Sequence, residues 1–143
     1  MQLTDVNVLI YAHREDAPDH AAYAAWLAEL ATGAAPFALS SMTLGSFLRL
    51  VTNPRIFQPA TPMETALAFC RQLAACPTAV FVQPGARHWE ILVDLIERSG
   101  VRGAMVSDAT LAALAIEHGC ELVTTDSDFA RFPQLRWRHP LAP

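Results

Sequence analysis

Four aspartates, Asp5, Asp108, Asp126 and Asp128, stand at the places where α/β proteins carry out chemistry. Asp5 follows the first short apolar segment, Asp108 opens a helical pattern, and the other two follow a late apolar segment. In open parallel sheets, ligands bind outside the carboxyl ends of the strands. Carboxylates that converge there from separate elements suit a hard divalent cation, and without a cation they would raise one another's pKa values. These four acids are therefore the candidate metal ligands.

Each acid also has an ordinary structural explanation. Aspartate is common at helix N-caps and in turns, which would account for Asp5, Asp126 and Asp128. An acid in the first turn of a helix, as predicted for Asp108, is favoured by the helix dipole. When three such acids occur in one small domain, a metal site and the ordinary structural roles explain them equally well. The residue types and spacing leave both interpretations open.

The elements that must position these acids alternate between short β-like segments and longer helical patterns. This alternation predicts a parallel sheet covered by helices. Gly119 is the expected stop of the helix that begins at Ser107-Asp108, and Thr61-Pro62-Met63-Glu64 reads as a capping box with proline at the first helical position. Strands are predicted at 2–4, 37–39, 79–82, 121–124 and 136–139, and helices at 7–13, 21–31, 41–53, 62–75, 87–98 and 107–118.

Length and composition are those of one compact domain spanning 1–143, with 52% hydrophobic residues and a net charge of −4. No signal-peptide pattern or membrane-length apolar run is present, so we expect a cytoplasmic protein. Three scattered cysteines do not form a zinc or disulfide pattern. All ten basic residues are arginine. Arginine suits phosphate recognition, although a codon bias would produce the same composition.

Four segments, in order, resemble PIN-domain ribonucleases, and specifically the VapC toxins of type II toxin–antitoxin pairs. Residues 4–12 (TDVNVLIYA) are similar to the opening of that family, and residues 47–57 (FLRLVTNPRIF) to the central helix and loop of one VapC subgroup. Asp108 with residues 111–119 (LAALAIEHG) resembles the helix that carries the third acid. Residues 124–129 (TTDSDF), followed by Phe132-Pro133, resemble the fourth acidic segment. The resemblance covers nearly the whole chain.

The resemblance implies a three-layer fold, a twisted parallel sheet flanked by helices, and Mg²⁺- or Mn²⁺-dependent cleavage of RNA. It also implies a homodimer and inhibition by a small VapB-like antitoxin. By matching motif positions, Asp5, Asp108 and Asp126 are the catalytic metal ligands and Asp128 is an accessory ligand. Asn7 would support the ligands from behind. For the RNA phosphates outside the centre, the candidate partners are Arg49, Arg55 and Arg102.

The sequence departs from the family pattern at Ser46. Many family members carry a glutamate on this helix, although some members of the subgroup also lack it. A serine hydroxyl does not supply that charge, so its loss would weaken metal binding or transfer a role to another acid such as Glu90. The alternative function is therefore a catalytically weakened PIN domain that acts mainly by binding an antitoxin or RNA.

Other enzyme classes fit the motifs poorly. Asp126-Ser127-Asp128 resembles the nucleophile motif of haloacid-dehalogenase-like phosphatases, but those enzymes place it after the first strand and use a later lysine, which this chain lacks. The missing lysine also excludes a response-regulator receiver domain. No Gly-x-Gly-x-x-Gly follows the first strand and no Gly-x-Ser-x-Gly is present, which excludes a dinucleotide-binding module and a classical serine hydrolase.

Overall fold

A computed structural model describes all residues, 1–143, as five strands, six α-helices and one short 3₁₀ helix near the C-terminus. No helix is both long and apolar enough to cross a membrane. The strands are β1 (Gln2–Thr4), β2 (Phe37–Leu39), β3 (Ala79–Phe81), β4 (Glu121–Val123) and β5 (Trp137–Arg138). The helices are α1 (Val6–His13), α2 (His20–Thr32), α3 (Ser41–Val51), α4 (Met63–Ala74), α5 (His88–Ser99) and α6 (Met105–Glu117), with the 3₁₀ helix at Ser127–Arg131.

All five strands form one parallel sheet in the order β3-β2-β1-β4-β5. The first strand of the chain is therefore the central strand, with β2 on one side and β4 on the other. The strand order reverses at β1, and this reversal opens a crevice at its carboxyl end. The predicted parallel sheet and the final edge strand are confirmed.

Helices cover both faces of the sheet, so the predicted three-layer α/β fold in a single domain is confirmed. Side chains alternate across β2: Phe37 and Leu39 pack with the helices α1 to α4, whereas Ala38 faces α5 and α6. Each face has its own core cluster, of 14 and 17 buried residues respectively. Because both faces are covered, most strand residues are apolar, as expected for a buried parallel sheet; the exceptions are Gln2, Thr4, Glu121 and Arg138.

Two local predictions are wrong in detail. Helix α6 begins at Met105, two residues before the predicted start, because Gly103 adopts a positive φ of 64° and turns the chain into the helix early. Its end before Gly119, where φ is 65°, is as predicted. Asp108 still lies in the first turn of α6, as predicted, but two residues further along it than the predicted start implies. This shift leaves its carboxylate projecting from the wall of a groove.

The capping box predicted at Thr61 is also wrong. Pro62 is the N-cap of α4 and no side chain caps the helix. Thr61 is buried and its hydroxyl lies 3.3 Å from Nη1 of Arg14, which also donates to the carbonyl of Pro59 at 2.7 Å. The buried Arg14, paired with Asp16 at 2.7 Å, thus holds the loop between α3 and α4 against the end of α1. A buried arginine must be hydrogen-bonded, so Thr61 bonds to Arg14 and does not cap the helix that the local sequence predicts it to cap.

Candidate active site

The carboxyl ends of β1 and β4 bring two of the predicted acidic segments together. Thr4 is paired with Val123 in the sheet, and the backbone N–H of Asp5 donates to the carbonyl of Val123 at 2.9 Å. Asp5 therefore leaves β1 beside the point where the chain leaves β4 toward Asp126. This edge lies at the crevice where the strand order reverses, which is the usual ligand site in such sheets.

Thr124, which has no exposed surface, connects the two segments through its hydroxyl group. The hydroxyl donates to Oδ2 of Asp5 at 2.7 Å and accepts from the backbone N–H of Asp126 at 3.1 Å. The side-chain amide of Asn7 donates to the same hydroxyl at 3.3 Å, and its oxygen accepts from the backbone N–H of Thr125 at 3.4 Å. One threonine therefore orients a carboxylate and a backbone segment, and Asn7 acts on Asp5 only through it.

Asp5 and Asp126 are helix caps as well as members of this group of acids. Oδ1 of Asp5 accepts from the N–H of Val6 at 2.7 Å, and Oδ1 of Asp126 accepts from the N–H of Asp128 at 2.8 Å. A carboxylate has about four lone-pair sites, so one cap bond leaves room for further partners. The ordinary and the functional interpretations of these two acids are therefore compatible.

Asp108 approaches Asp5 from the opposite wall of a groove of about 250 Å³. The wall on one side belongs to α3 and includes Ser46, and the other wall is the start of α6. Asp126 and Asp128 lie outside the lining but close enough for their charges to act on Asp108. The lining consists of Asp5, Val6, Met42, Thr43, Ser46, Ser107, Asp108, Thr110 and Leu111.

Negative charge in the groove is not neutralised by an ion pair. Burial raises the pKa of Asp5, which is only 7% exposed, and Asp126 adds to the rise, while the hydrogen bonds from Thr124 and Val6 oppose it. Burial also raises the pKa of Asp108, followed by the charges of Asp126, Asp5 and Asp128, while the charge of Arg131 opposes the rise. None of the five ion pairs within 4 Å involves Asp5, Asp108 or Asp126. The site therefore favours uptake of either protons or a metal cation.

The donor set fits Mg²⁺ or Mn²⁺ better than zinc. It contains only carboxylates and a hydroxyl, which are the oxygen ligands that hard cations take. As the side chains stand, no three His, Cys, Asp or Glu residues are close enough to hold an ion together. Mg²⁺ keeps several waters and is usually held by one or two carboxylates together with substrate phosphates. A partly open pair of acids, Asp5 and Asp108, is compatible with that mode of binding.

The raised pKa of Asp108 has a consequence for the stability of the metal-free protein. A carboxyl group whose pKa is higher in the folded state costs free energy once it is ionised. The cost is absent below the unfolded pKa, about 3.9, and complete above the folded pKa. We therefore expect Asp108→Asn to raise the free energy of unfolding at neutral pH in EDTA, with the gain disappearing on acidification. Urea denaturation at a series of pH values measures this effect.

Asp94 supplies a control of opposite sign. Hydrogen bonds from Gln134 and Arg98 lower the pKa of this exposed carboxyl, so it adds stability above its unfolded pKa and loses it on acidification. Asp94→Asn should therefore lower the unfolding free energy at neutral pH. An Asp108→Asn variant that is less stable than the wild type at neutral pH without metal would contradict the conclusion that burial and the neighbouring acids destabilise the ionised Asp108.

The structure separates the other predicted residues from the groove. Arg49, Arg55 and Arg102 are exposed and none lines it; they lie on α3, in the α3–α4 loop and just before α6, respectively. Their contact with RNA stays a prediction. Glu90 lines a different depression, with Asp94 and Gln134 among its neighbours, so the expectation that it replaces the missing glutamate is wrong. Residue 90 lies on α5, which packs on the opposite face of the sheet from α3.

Two residues with clear contacts to the acids were not predicted as site residues. Thr124 was noted only as part of a matching segment, yet it bonds directly to Asp5. Arg131 lies one turn of 3₁₀ helix after Asp128, and its charge acts on Asp108. The three-residue spacing between Asp128 and Arg131 was the available signal, because such a pair shares one face of a short helix.

Comparison with known proteins assigns this arrangement to a family. The sequence model for the PIN domain matches residues 3–135. A VapC ribonuclease of Mycobacterium bovis is 42% identical over 141 residues, which cover 99% of this chain and 96% of that protein. Ribonuclease VapC25 of Mycobacterium tuberculosis is 41% identical over 140 residues, which cover 98% of this chain and 99% of that protein.

Solved structures share the same fold at lower sequence identity. VapBC2 from Rickettsia felis, bound to a DNA fragment from its promoter, matches with a TM-score of 0.71 at 21% identity, covering 96% of this chain and 97% of that one. The sarcin-ricin loop cleaving toxin VapC20 of Mycobacterium tuberculosis matches with a TM-score of 0.64 at 18% identity, covering 95% and 99%. At these sequence identities, the similarities support a shared fold and nothing further.

Proposed function

Because the chain belongs to the PIN-domain family and, within it, to the VapC ribonucleases, we propose that it is an endoribonuclease toxin of a toxin–antitoxin pair and that it cuts RNA with a divalent metal ion. The full-length relatives that carry the ribonuclease name support the activity. The observation that carries the mechanism is the group of acids around Asp5 and Asp108, which line one groove and form no ion pair within 4 Å.

Asp5, Asp108 and Asp126, with Asp128 at the edge of the site, are the residues that would hold Mg²⁺ or Mn²⁺. A bound ion would supply a water that is nucleophilic at neutral pH and would relieve charge on the phosphate. The protein itself positions the carboxylates. Thr124 keeps the Asp5 carboxylate in one orientation, and the opposite groove wall presents Asp108. Because the acids repel RNA phosphates, metal should promote RNA binding as well as cleavage.

Cleavage of end-labelled RNA tests this function directly. The substrates are total tRNA and short single-stranded RNAs, each incubated with Mg²⁺, Mn²⁺ or EDTA, and the protein is purified free of any antitoxin. We expect discrete cuts that depend on metal and leave 5′-phosphate and 3′-hydroxyl ends. Cleavage that persists in EDTA, or products with 2′,3′-cyclic phosphate ends, would exclude hydrolysis by a metal-activated water.

The proposed partners follow from the same relatives. The solved structures of similar fold include toxin–antitoxin complexes, among them VapBC2 from Rickettsia felis. We propose a VapB-like antitoxin that covers the groove, where a basic segment would meet unbalanced carboxylates, and a homodimer as the assembled toxin. Light scattering after size-exclusion chromatography, with and without the co-expressed antitoxin, measures both assemblies.

The second candidate function is a weakened PIN domain that acts mainly by binding, and Ser46 is the observation that favours it. Ser46 is partly exposed and lines the groove with Asp5 and Asp108, so the groove lacks a third carboxylate there.

We expect Ser46→Glu to bind Mn²⁺ about tenfold more tightly, since an added oxygen ligand strengthens a carboxylate site. Without metal the same variant should unfold at a lower temperature, because it adds a like charge. Calorimetric titration and thermal denaturation measure the two effects.

Ser41→Glu is the matched control for this prediction. Ser41 is exposed on the same helix and does not line the groove, so it adds the same charge without adding a ligand. Equal Mn²⁺ affinity in the two variants would show that position 46 does not face the ion. A wild-type protein that binds Mn²⁺ and cuts RNA would remove the weakened-domain alternative.

A further inference from the structure

Arg131 is the basic residue that the structure ties most closely to the group of acids. It lies in the last turn of the 3₁₀ helix, where Nε donates to the carbonyl oxygen of Asp128 at 3.0 Å. Nη1 lies 3.0 Å from the sulfur of Met105, and Nη2 lies 3.6 Å from the carboxylate of Asp128. Met105 is three residues before Asp108 on α6. The guanidinium therefore bridges the two segments that carry Asp108 and Asp128.

The contacts that hold Arg131 are easily exchanged. A thioether sulfur is a weak hydrogen-bond acceptor, so Nη1 of Arg131 has no strong partner at Met105. The ion pair with Asp128 is long, and both side chains are exposed, by 37% and 60%. Such pairs contribute little, typically about 0–1 kcal/mol. Only the bond to the backbone carbonyl anchors the side chain, and the two terminal nitrogens stay available to a ligand.

Arg131 is the one arginine tied to the group of acids. It alone forms an ion pair with one of the four, Asp128, and no ion pair within 4 Å reaches Asp5, Asp108 or Asp126. The three arginines proposed from the sequence, Arg49, Arg55 and Arg102, neither line the groove nor pair with any of its acids. Arg131 does not line the groove either, but its bonds to Asp128 and Met105 hold its guanidinium between the segments that carry Asp128 and Asp108.

We propose that Arg131 is a substrate-contacting catalytic residue, whose guanidinium exchanges the Met105 sulfur for the oxygens of an RNA phosphate held over Asp108. The inference rests on the proposed RNA-cleaving function and adds a phosphate contact to it. A guanidinium offers two parallel N–H donors that match phosphate geometry, and such charge-assisted bonds are about twice as strong as neutral ones. The exchange is therefore favourable, and it leaves the Nε bond to Asp128 as the anchor.

Variants of Arg131 separate this contact from a structural role. Arg131→Gln removes the charge, Arg131→Lys keeps a point charge without the paired donors, and Arg98→Gln is the matched control. Arg98 is also exposed and also forms an exposed helical ion pair, with Asp94 at 2.9 Å, but it lies on α5 away from the groove. Cleavage of a short single-stranded RNA in Mg²⁺ gives kcat/KM. Binding of the same fluorescein-labelled RNA in Ca²⁺, recovered uncut afterwards, gives the salt dependence of affinity.

We expect Arg131→Gln to lower kcat/KM about 100-fold, as loss of one preorganised donor to a transition-state oxygen does. Arg131→Lys should recover about tenfold of that loss, because it restores charge without the fork. The slope of log affinity against log salt should become shallower by about 0.7, the value for one lost phosphate contact on a single strand. Arg98→Gln should leave the salt slope and kcat/KM unchanged.

A wild-type salt slope and wild-type kcat/KM in Arg131→Gln would overturn the proposal while leaving the ribonuclease function in place. A lower melting temperature in Arg131→Gln with an unchanged salt slope would also overturn it, since that result assigns a structural role. If the wild type binds RNA without cutting it, the proposed function fails, and the salt slope still decides whether Arg131 contacts phosphate. A wild type that neither cuts nor binds RNA would overturn both.

Discussion

Asp5→Ala combined with Asp108→Ala is expected to reduce RNA cleavage about 10³-fold or more, which places it below detection in an end-labelled assay. The pair removes both carboxylates that line the groove, so only Asp126 and Asp128, which lie outside its lining, remain to hold an ion. The fold should persist, because both carboxyl groups are destabilised in their charged form by burial. Loss of the Asp5 cap on α1 offsets part of that relief, at about 1 kcal/mol.

The matched control removes two acids from the exposed surface. Glu64→Ala combined with Glu90→Ala deletes the same charge from α4 and α5, and neither residue lines the groove. Circular dichroism and thermal denaturation establish that each double variant is folded. Substantial metal-dependent cutting by the folded Asp5/Asp108 variant, prepared free of other nucleases, is the result that would sink the mechanism.

Thr124→Val is expected to produce the second-largest effect, with cleavage reduced about 10- to 100-fold, as is usual when a residue that orients a metal ligand is lost. Valine keeps the shape of the side chain and removes the donor to Asp5 and the acceptor for the N–H of Asp126. The buried polar groups left unpaired should lower the unfolding free energy by about 1–3 kcal/mol. Because the Thr124 bond lowers the pKa of Asp5, its loss raises that pKa further, so activity should begin at a higher pH.

Thr125→Val controls for the change of a hydroxyl to a methyl group at the end of β4. The side chain of Thr125 is partly exposed and makes no hydrogen bond to an acid, so this variant should retain wild-type cleavage and the wild-type pH profile. Steady-state cleavage over a range of pH values compares the two variants. Equal activity of Thr124→Val and Thr125→Val would show that the buried hydroxyl does not orient the catalytic carboxylate.

Most of the elements were predictable from local sequence. Short apolar segments bounded by proline, glycine or acids marked the strands, and apolar faces such as Leu44, Phe47 and Val51 marked the helices. These signals work because strand and helix periodicity depends on neighbouring residues. One error occurred where a distant partner overrode a local preference, because Thr61 bonds to the buried Arg14 and does not cap its own helix. The other error was local, because the positive φ of Gly103 starts α6 two residues early.

The residues around the acids were less predictable than the acids themselves. Positions after strands or at a helix start identify the four candidate ligands, Asp5, Asp108, Asp126 and Asp128. In the structure the charges of the other three act on Asp108. Arg131 was overlooked because arginine is usually solvated at the surface. Its contacts with Asp128 and with Met105, 26 residues away, are what place it beside the acids.

The sequence by itself determined which residues can do the chemistry, which elements carry them and that those elements form a parallel sheet. The tertiary structure alone decided that β4 lies beside β1, so that Thr124 meets Asp5 across 119 residues of chain. It also decided that α3 and α6, which pack on opposite faces of the sheet, contribute Ser46 and Asp108 to one groove. The physical reason is that strand order and helix facing are chosen by the packing of two cores on opposite faces of the sheet. No local periodicity records that choice.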